Sequence, residues 1–489
     1  MNPALAVIAA LFFSLALMVF GPKSEFLERP AGSEPGSPLA RFLRAAWFVV
    51  ADRVVYGPVI GVMLLWLGAA TGLVAPLPDG SHVADAAVAR GAFRNAHLAV
   101  LVVSYGVMSV SLDRSGFMKW CAYRAVSWAG GDVRRAFFAT FAVCSVITLF
   151  TSNDIVVVAM TPILLHIGMM AGLTNMVPFL VGMFVAANTS AMGVLVGSPT
   201  NLVMASAANL AFVSYSRLMF IPAVVATVAA ALTVWGLSCV RGLPGAGLPA
   251  RYTLESITEE RVDFTSAARV RAGIFGFVLV GMMTFDLFGL PVGRVWMLAV
   301  AGAIVMFLLD VLPAETRAEA LLATLRRAPW TVPPFLISLF FLVEALGRTR
   351  MLDHVKTFLA SHVASSPLVF TLEYGLGAMT LVNVVNDIPS SIIWGMIYPG
   401  LQTSLGAAHG TLALGAILIG VNTGCYLTII GSLAGLMWRQ ILRTSPVGRT
   451  LSLPNGWHLL LFGGSAAITA TIAACIALWL QEMILPFAR

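Results

Sequence analysis

The stretch Phe150-Thr151-Ser152-Asn153-Asp154 breaks a long apolar run, and Val384-Val385-Asn386-Asp387 breaks another in the same way, with its Asn-Asp pair 233 residues further on. A second polar element follows each break. Asn188-Thr189 is followed nine residues on by Gly197-Ser198, and Asn422-Thr423 is followed nine residues on by Gly431-Ser432. The copies of this element are 234 residues apart, and Leu112-x-Arg114 returns as Leu346-x-Arg348 at the same offset. The two halves of the chain carry the same interruptions in the same order, so the fold must contain a duplication.

Composition sets the solvent. Of 489 residues, 59% are apolar and 10% charged, with a mean hydropathy of +0.91, which reads as an all-α polytopic membrane protein rather than a soluble domain. The net charge of +7 is dispersed through short loops, not gathered into the patch or stripe that nucleic acid requires. Five cysteines stand singly without metal-ligand spacing, so the sequence points to no metal site, and most of them read as small buried hydrophobes. No Gly-x-x-x-x-Gly-Lys-Ser/Thr loop is present, so pumping by this chain alone is secondary, and a separate ATPase subunit is left open.

Along the chain, Ala4 to Phe20 lacks the basic start and cleavage pattern of a signal peptide and reads as a retained membrane helix. An amphipathic piece around Phe42 to Val55 suits a membrane surface. The first repeat covers residues 1–240, with a hairpin at about 136–170 and a broken helix at about 177–205. Residues 241–270 form a charged cytoplasmic linker. The second repeat covers 271–489, with a hairpin at about 366–400 and a broken helix at about 411–437. The arms around the first break are about 15 residues each, or roughly 22 Å as helix, short of the roughly 30 Å hydrocarbon core, so each pair reads as a re-entrant hairpin. The polar tip residues are expected to cap the second arm. Five crossings and one hairpin per half, about 10 spans in all, make the second half upside down relative to the first. The positive-inside rule agrees: with the N-terminus outside, the segments assigned to the cytoplasm hold 21 of the 29 Lys and Arg residues.

A carboxylate at membrane depth costs about 2.5–3.5 kcal/mol and marks a functional site by default. Asp154 and Asp387 are the candidates for ion and proton coupling. A solvated helix cap is the competing reading, and the duplication with its matched partners argues against it. Ser152, Asn153, Asn188, Thr189, Asn386, Asn422 and Thr423 supply further oxygens, while Gly197, Ser198, Thr200, Asn201, Gly431 and Ser432 complete two half-sites at broken helix ends. Glu344 and Glu373 lack acidic counterparts in the other half and read either as an asymmetric proton path or as partners of nearby arginines. His166 reads as a hydrogen-bonded core histidine rather than a proton relay. Two intramembrane aspartates also define membrane aspartyl proteases, but their Gly-x-Gly-Asp pattern is absent, so no enzyme activity is expected.

Over nearly its full length the chain resembles the arsenite permease family of the ion transporter superfamily, whose relatives include divalent-anion/sodium symporters and sodium/proton antiporters. The residues that carry the resemblance are Leu112-Asp113-Arg114-Ser115-Gly116-Phe117, Asn153-Asp154 through Thr161-Pro162, Arg327-Ala328-Pro329-Trp330, Asn386-Asp387-Ile388-Pro389 and Gly424-Cys425 through Ile430-Gly431-Ser432-Leu433-Ala434. The first-half stretch Asn188 to Asn201 and Tyr426-Leu427-Thr428-Ile429 depart from the arsenite pattern. The resemblance implies the inverted-repeat fold with two hairpins, a homodimer, elevator-type movement and a place in the bacterial inner membrane. It also implies export of arsenite or antimonite against protons, with no cofactor. Two carboxylates repel a dianion, whereas arsenious acid is largely neutral at neutral pH and offers hydroxyls to amides and serines. A sodium/proton antiporter and an ion-coupled organic or inorganic anion transporter are the alternatives.

Overall fold

A computed structural model of the chain describes residues 2–20, 53–83, 85, 88–90, 93, 96–253, 262–287, 295–312, 332–361, 366–445 and 450–487. The expected amphipathic piece around Phe42 to Val55 lies almost wholly outside them, as do Arg327-Ala328-Pro329-Trp330 and residues 254–261 of the linker. The described residues are helical, and their only extended pairings are isolated bridges between Asp132 and Arg251 and between Asn175 and Ser452.

The helices run in the order α1 (Pro3–Phe20), α2 (Arg53–Ala70), α3 (Ala96–Arg114), α4 (Phe117–Trp128), α5 (Val133–Phe150) and α6 (Asn153–Met170). Next come α7 (Val177–Ala191), α8 (Pro199–Ala207), α9 (Phe212–Ser238), α10 (Ser266–Leu287), α11 (Val295–Val311) and α12 (Val332–Arg348). The last are α13 (Met351–Ser361), α14 (Pro367–Val385), α15 (Asp387–Gly424), α16 (Leu433–Thr444) and α17 (Gly464–Ile484). Seven of the described helical segments are long and apolar enough to cross a membrane, and shorter apolar helices accompany them. The chain is a multi-pass membrane protein.

The described residues form two compact units. The first holds Met1–Val107 and Phe307–Leu359. Within it α1, α2 and α12 pack on one another. A Cβ on Gly61 of α2 would lie 2.1 Å from the Ser14 hydroxyl of α1, so glycine sets that approach. Trp66 meets Phe341 edge-on at 5.8 Å. Glu344 pairs with Arg348 at 3.2 Å one turn away, and the same guanidinium lies 4.0 Å from Asp79. Of the two readings of Glu344, the structure shows the ion pair. The Ser81 hydroxyl and N–H both donate to Asp79 and, with the Arg348 charge, hold its carboxyl below the ordinary range.

The second unit holds Met108–Met306 and Ala360–Arg489, including every candidate site residue. Its two helical hairpins are α5–α6 and α14 with the first part of α15. The arms of the first are 18 residues each, about 27 Å of helix and longer than the sequence suggests. Asp132 explains the difference in the first arm, because its carboxylate accepts the Arg135 N–H at 2.8 Å and starts α5 at Val133, while α6 includes the Asn153-Asp154 pair itself. In the second hairpin, α15 turns at Gly406, whose φ of 76° and ψ of 174° suit only glycine. The arm therefore runs past the expected boundary at 400 and the next helical piece starts before 411.

The caps differ from expectation. Ser152 and Asn386 occupy the N-cap positions but make no side-chain cap bond. Instead Thr151 closes the first arm, its hydroxyl donating to the Ile147 carbonyl at 2.8 Å, and the tip amides turn to Asn188 and to the Ile430 carbonyl. His166 is exposed on α6, contrary to the core position expected for it, and Glu373 is exposed on α14. Both stand on helix faces turned away from the packed interior.

Linker residues strap the first hairpin: Val133 N–H donates to Ala250 O at 3.2 Å, Tyr252 N–H to Gly131 O at 3.0 Å, and the Tyr252 hydroxyl to Val126 O at 2.6 Å. The Thr253 hydroxyl reaches Ala171 O at 2.8 Å, and the Asn175 amide donates to Gly245 O and Ala246 O at 3.0 and 3.1 Å. Phe264 stacks on Trp120 of α4 at 4.6 Å. Met176 N–H donates to Ser452 O at 3.1 Å, and Ser452 N–H donates to Thr174 O at 2.7 Å. Segments that the charge distribution assigns to the cytoplasmic side thus converge at one end of this unit.

Candidate substrate site

Each half builds its polar interruption from the same parts. A hairpin arm begins at the Asn-Asp pair; a helix ends soon after Asn-Thr; the chain then doubles back through Gly-Ser and enters a short helix, α8 or α16. The glycines are dictated by space. A Cβ on Gly197 would sit 2.3 Å from Ala191 O, and one on Gly431 would sit 2.8 Å from Gly424 O and 3.0 Å from Cys425 O. The serines are the N-caps that follow. Ser432 Oγ accepts the Gly435 N–H at 3.0 Å, and Ser198 Oγ accepts the Thr200 N–H at 3.4 Å while sharing a 2.8 Å bond with the Thr200 hydroxyl.

The halves then interlock. α6 of the first hairpin packs against α16 of the second half, and α15 of the second hairpin packs against α8 of the first. The Ala434 N–H, in the first turn of α16, is directed at the Asp154 carboxylate. Gly395 of α15 faces Val203 and Ala207 of α8. The tip of the first hairpin and the outgoing arm of the second are thereby brought to the broken helix of the other copy, while the second tip stays on the break of its own half.

Amide side chains make separate links at these breaks, one of them between the halves. Asn153 Nδ2 donates to Asn188 Oδ1 at 2.9 Å, and Asn188 Nδ2 donates to Phe184 O at 2.8 Å. Asn422 Nδ2 donates to Asn201 Oδ1 at 3.0 Å, and Asn201 Nδ2 donates to the loose carbonyls of Ala191 and Val194 at 2.8 and 3.1 Å. Asn386 Nδ2 closes the second tip on Ile430 O at 2.8 Å. Two sequence candidates serve packing instead. The Thr423 hydroxyl pairs with Thr471 of α17 at 2.7 Å, and the Thr189 hydroxyl donates to the Tyr426 hydroxyl at 2.8 Å. Ser152 reaches only its neighbour Asn153, at 3.4 Å.

Asp154 is half-buried and Asp387 is buried at 3% exposure. They lie within electrostatic reach of each other. Asp387 Oδ1 accepts its neighbour's Ile388 N–H at 2.9 Å, and Oδ2 faces the buried Cys425 thiol at 3.6 Å. Each carboxylate stands in the first turn of its helix, where backbone N–H groups have no intrahelical partner. None of the side chains bonded into this network is Lys or Arg. Two mutually repelling carboxylates in a shell of amides and hydroxyls can bind protons, small cations or neutral hydroxyl-bearing solutes.

Sequence reasoning missed several members. Cys425, Tyr426 and Thr471 lie at positions the duplication does not repeat. Asn383, which donates to Gly424 O at 3.1 Å and accepts the Thr428 hydroxyl at 2.7 Å, falls where the first copy has Phe150. The one usable signal was an isolated Asn within an apolar helix, three residues before Asn386.

A helical multi-pass protein with an interlocked pair of polar helix breaks in its interior is a membrane transporter. The family model described as CitMHS, citrate transporter, matches residues 7–420, and the chain belongs to that family. It is 25% identical over 410 residues to an arsenical pump membrane protein of Escherichia coli, covering 82% of this chain and 90% of that one. Identity to a putative arsenical pump membrane protein of Bacillus subtilis is 21% over 355 residues, 70% of this chain and 79% of the relative. The fold is similar to that of the YdaH transporter of Alcanivorax borkumensis, with a TM-score of 0.54 at 14% identity over 91% of this chain and 99% of that one.

Proposed function

We propose that this transporter exports arsenite or antimonite as the neutral hydroxide, in exchange for protons taken up by Asp154 and Asp387. The observation that carries the reading is the pair of carboxylates within electrostatic reach of each other, in a network without a fixed cation. Their repulsion is relieved when protons bind, and it disfavours an anionic solute. A neutral trihydroxide can exchange hydrogen bonds with Asn153, Asn188, Asn201, Asn422, Ser198, Thr200 and Ser432 without paying for charge burial. The names of the Escherichia coli and Bacillus subtilis relatives support the same solute. We further propose inverted repeats and elevator-type alternating access, the whole site lying inside one compact unit.

The family description favours a second reading, a carboxylate solute such as citrate. The carboxylates would then have to hold a cation or proton together with the anion. Everted vesicles under an imposed proton gradient separate the two. Gradient-driven arsenite accumulation in the wild type, lost in Asp154→Asn and Asp387→Asn, is the expected result. Arsenite uptake that survives both substitutions rejects the coupling role, and citrate uptake without arsenite uptake moves the assignment to the second reading.

A further inference from the structure

We propose that a file of ordered water runs along one face of the second hairpin's outgoing arm, from Trp394 through Ser390 to Asn386, and carries protons to Asp387. Trp394 Nε1, Ser390 Oγ and Asn386 Oδ1 are buried and have no hydrogen-bond partner among the described residues. Their residues are 6%, 0% and 2% exposed. Ser390 and Trp394 are i, i+4 neighbours on α15, and Asn386 stands one turn earlier at its N-cap. The three groups cover about 12 Å of the arm at the helical rise.

An unmade bond of this kind costs about 1–3 kcal/mol. Three in succession on one arm call for partners, and water fits where several polar groups line a buried path. The chemistry also gives the file a direction. The indole N–H only donates, the serine hydroxyl both donates and accepts, and the amide oxygen only accepts. A hydrogen-bonded chain therefore points from Trp394 toward the tip, where Asn386 adjoins Asp387. The Trp394 ring is set against that of Tyr374, 6.5 Å away, which holds the indole in place.

The duplication supplies an internal comparison. The matching positions on α6, 233 residues earlier, are Asn153, Val157 and Thr161. Asn153 is bonded to Asn188, Val157 is apolar, and the Thr161 hydroxyl donates to Val157 O. The face of the first hairpin is thus satisfied by protein, and only the second leaves three polar atoms to water. The hydration rests on these atoms alone, whereas its role in coupling rests on the proton exchange proposed above.

Radiolytic hydroxyl-radical labelling of the full chain in lipid nanodiscs, read by mass spectrometry, tests the water directly and uses no solute. With rates normalised to the unfolded chain, Trp394 is expected to react several-fold faster than Met160, which is 0% exposed on α6. Ser390→Ala should slow Trp394 labelling and Ser390→Thr should restore it. Labelling of Trp394 no faster than Met160, or indifferent to Ser390→Ala, overturns the water file. In proteoliposomes, proton movement followed with a pH-sensitive dye is expected to fall several-fold in Ser390→Ala and Trp394→Phe but not in Ser390→Thr. Unchanged proton movement with altered labelling overturns the coupling role. Failure of the wild type to move arsenite bears only on the proposed solute.

Discussion

At the scale of single residues, the site is defined by what small side chains permit and what amides connect. Gly197 has no room for a methyl group, because the obstacle is the backbone carbonyl of Ala191 at 2.3 Å. Gly197→Ala is expected to destabilise the protein by about 3 kcal/mol, as overpacking against an unyielding group does. Gly236→Ala, where nothing lies within 4 Å of the added carbon, should be neutral or slightly stabilising; thermal unfolding in detergent compares the two. Asn201 and Asn422 form a direct amide-to-amide link between the halves. A double-mutant cycle with alanine at both positions should show a coupling of about 0.5–1.5 kcal/mol, and additive losses would remove the link from the account. These residues were legible in the sequence because duplication marks them twice. Cys425, Tyr426 and Asn383 were not, since a contact made in one half alone leaves no echo. The core position expected for His166 does not hold, because α6 presents one face outward and His166 stands on it.

At the scale of elements, the hairpins were legible as breaks in apolar runs, while their lengths were not. The missing information was local: the Asp132 cap lengthens α5, and the positive φ at Gly406 divides α15. Neither changes the hydropathy on which the boundaries were drawn. The strap on the first hairpin was invisible for another reason, since backbone carbonyls such as Ala250 O and Gly245 O carry no side-chain signature. Tyr252→Phe removes the bond to Val126 O, and Asn175→Ala removes those to Gly245 O and Ala246 O. Each is expected to cost about 0.5–1.5 kcal/mol for an ordinary hydrogen bond. Hydrogen exchange at residues 131–133 and 171–176 should accelerate, and exchange at the tip near Asn153 should not. Acceleration at the tip instead would mean that the strap governs the site and not merely the base.

At the scale of the whole molecule, the hydrogen bonds gather, at one end of the second unit, segments that the charge distribution assigns to the same side of the membrane. The strap end of the second unit carries Arg134, Arg135, Arg241 and Arg251, and by the positive-inside rule we expect that end to face the cytoplasm. Cys239 is exposed near it, while Cys144, Cys425 and Cys475 are buried. A membrane-impermeant maleimide should therefore label Cys239 in everted vesicles and spare it in intact cells, and the reverse pattern would invert the assigned topology. The interlock of the site has its own consequence for how such a protein can be divided. Each hairpin draws part of its seat from the opposite copy, so a chain severed in the linker would yield two fragments that are incomplete separately and complementary together. Neither piece alone would hold a finished cradle for solute, and joint synthesis of both is the condition under which a severed carrier would regain one.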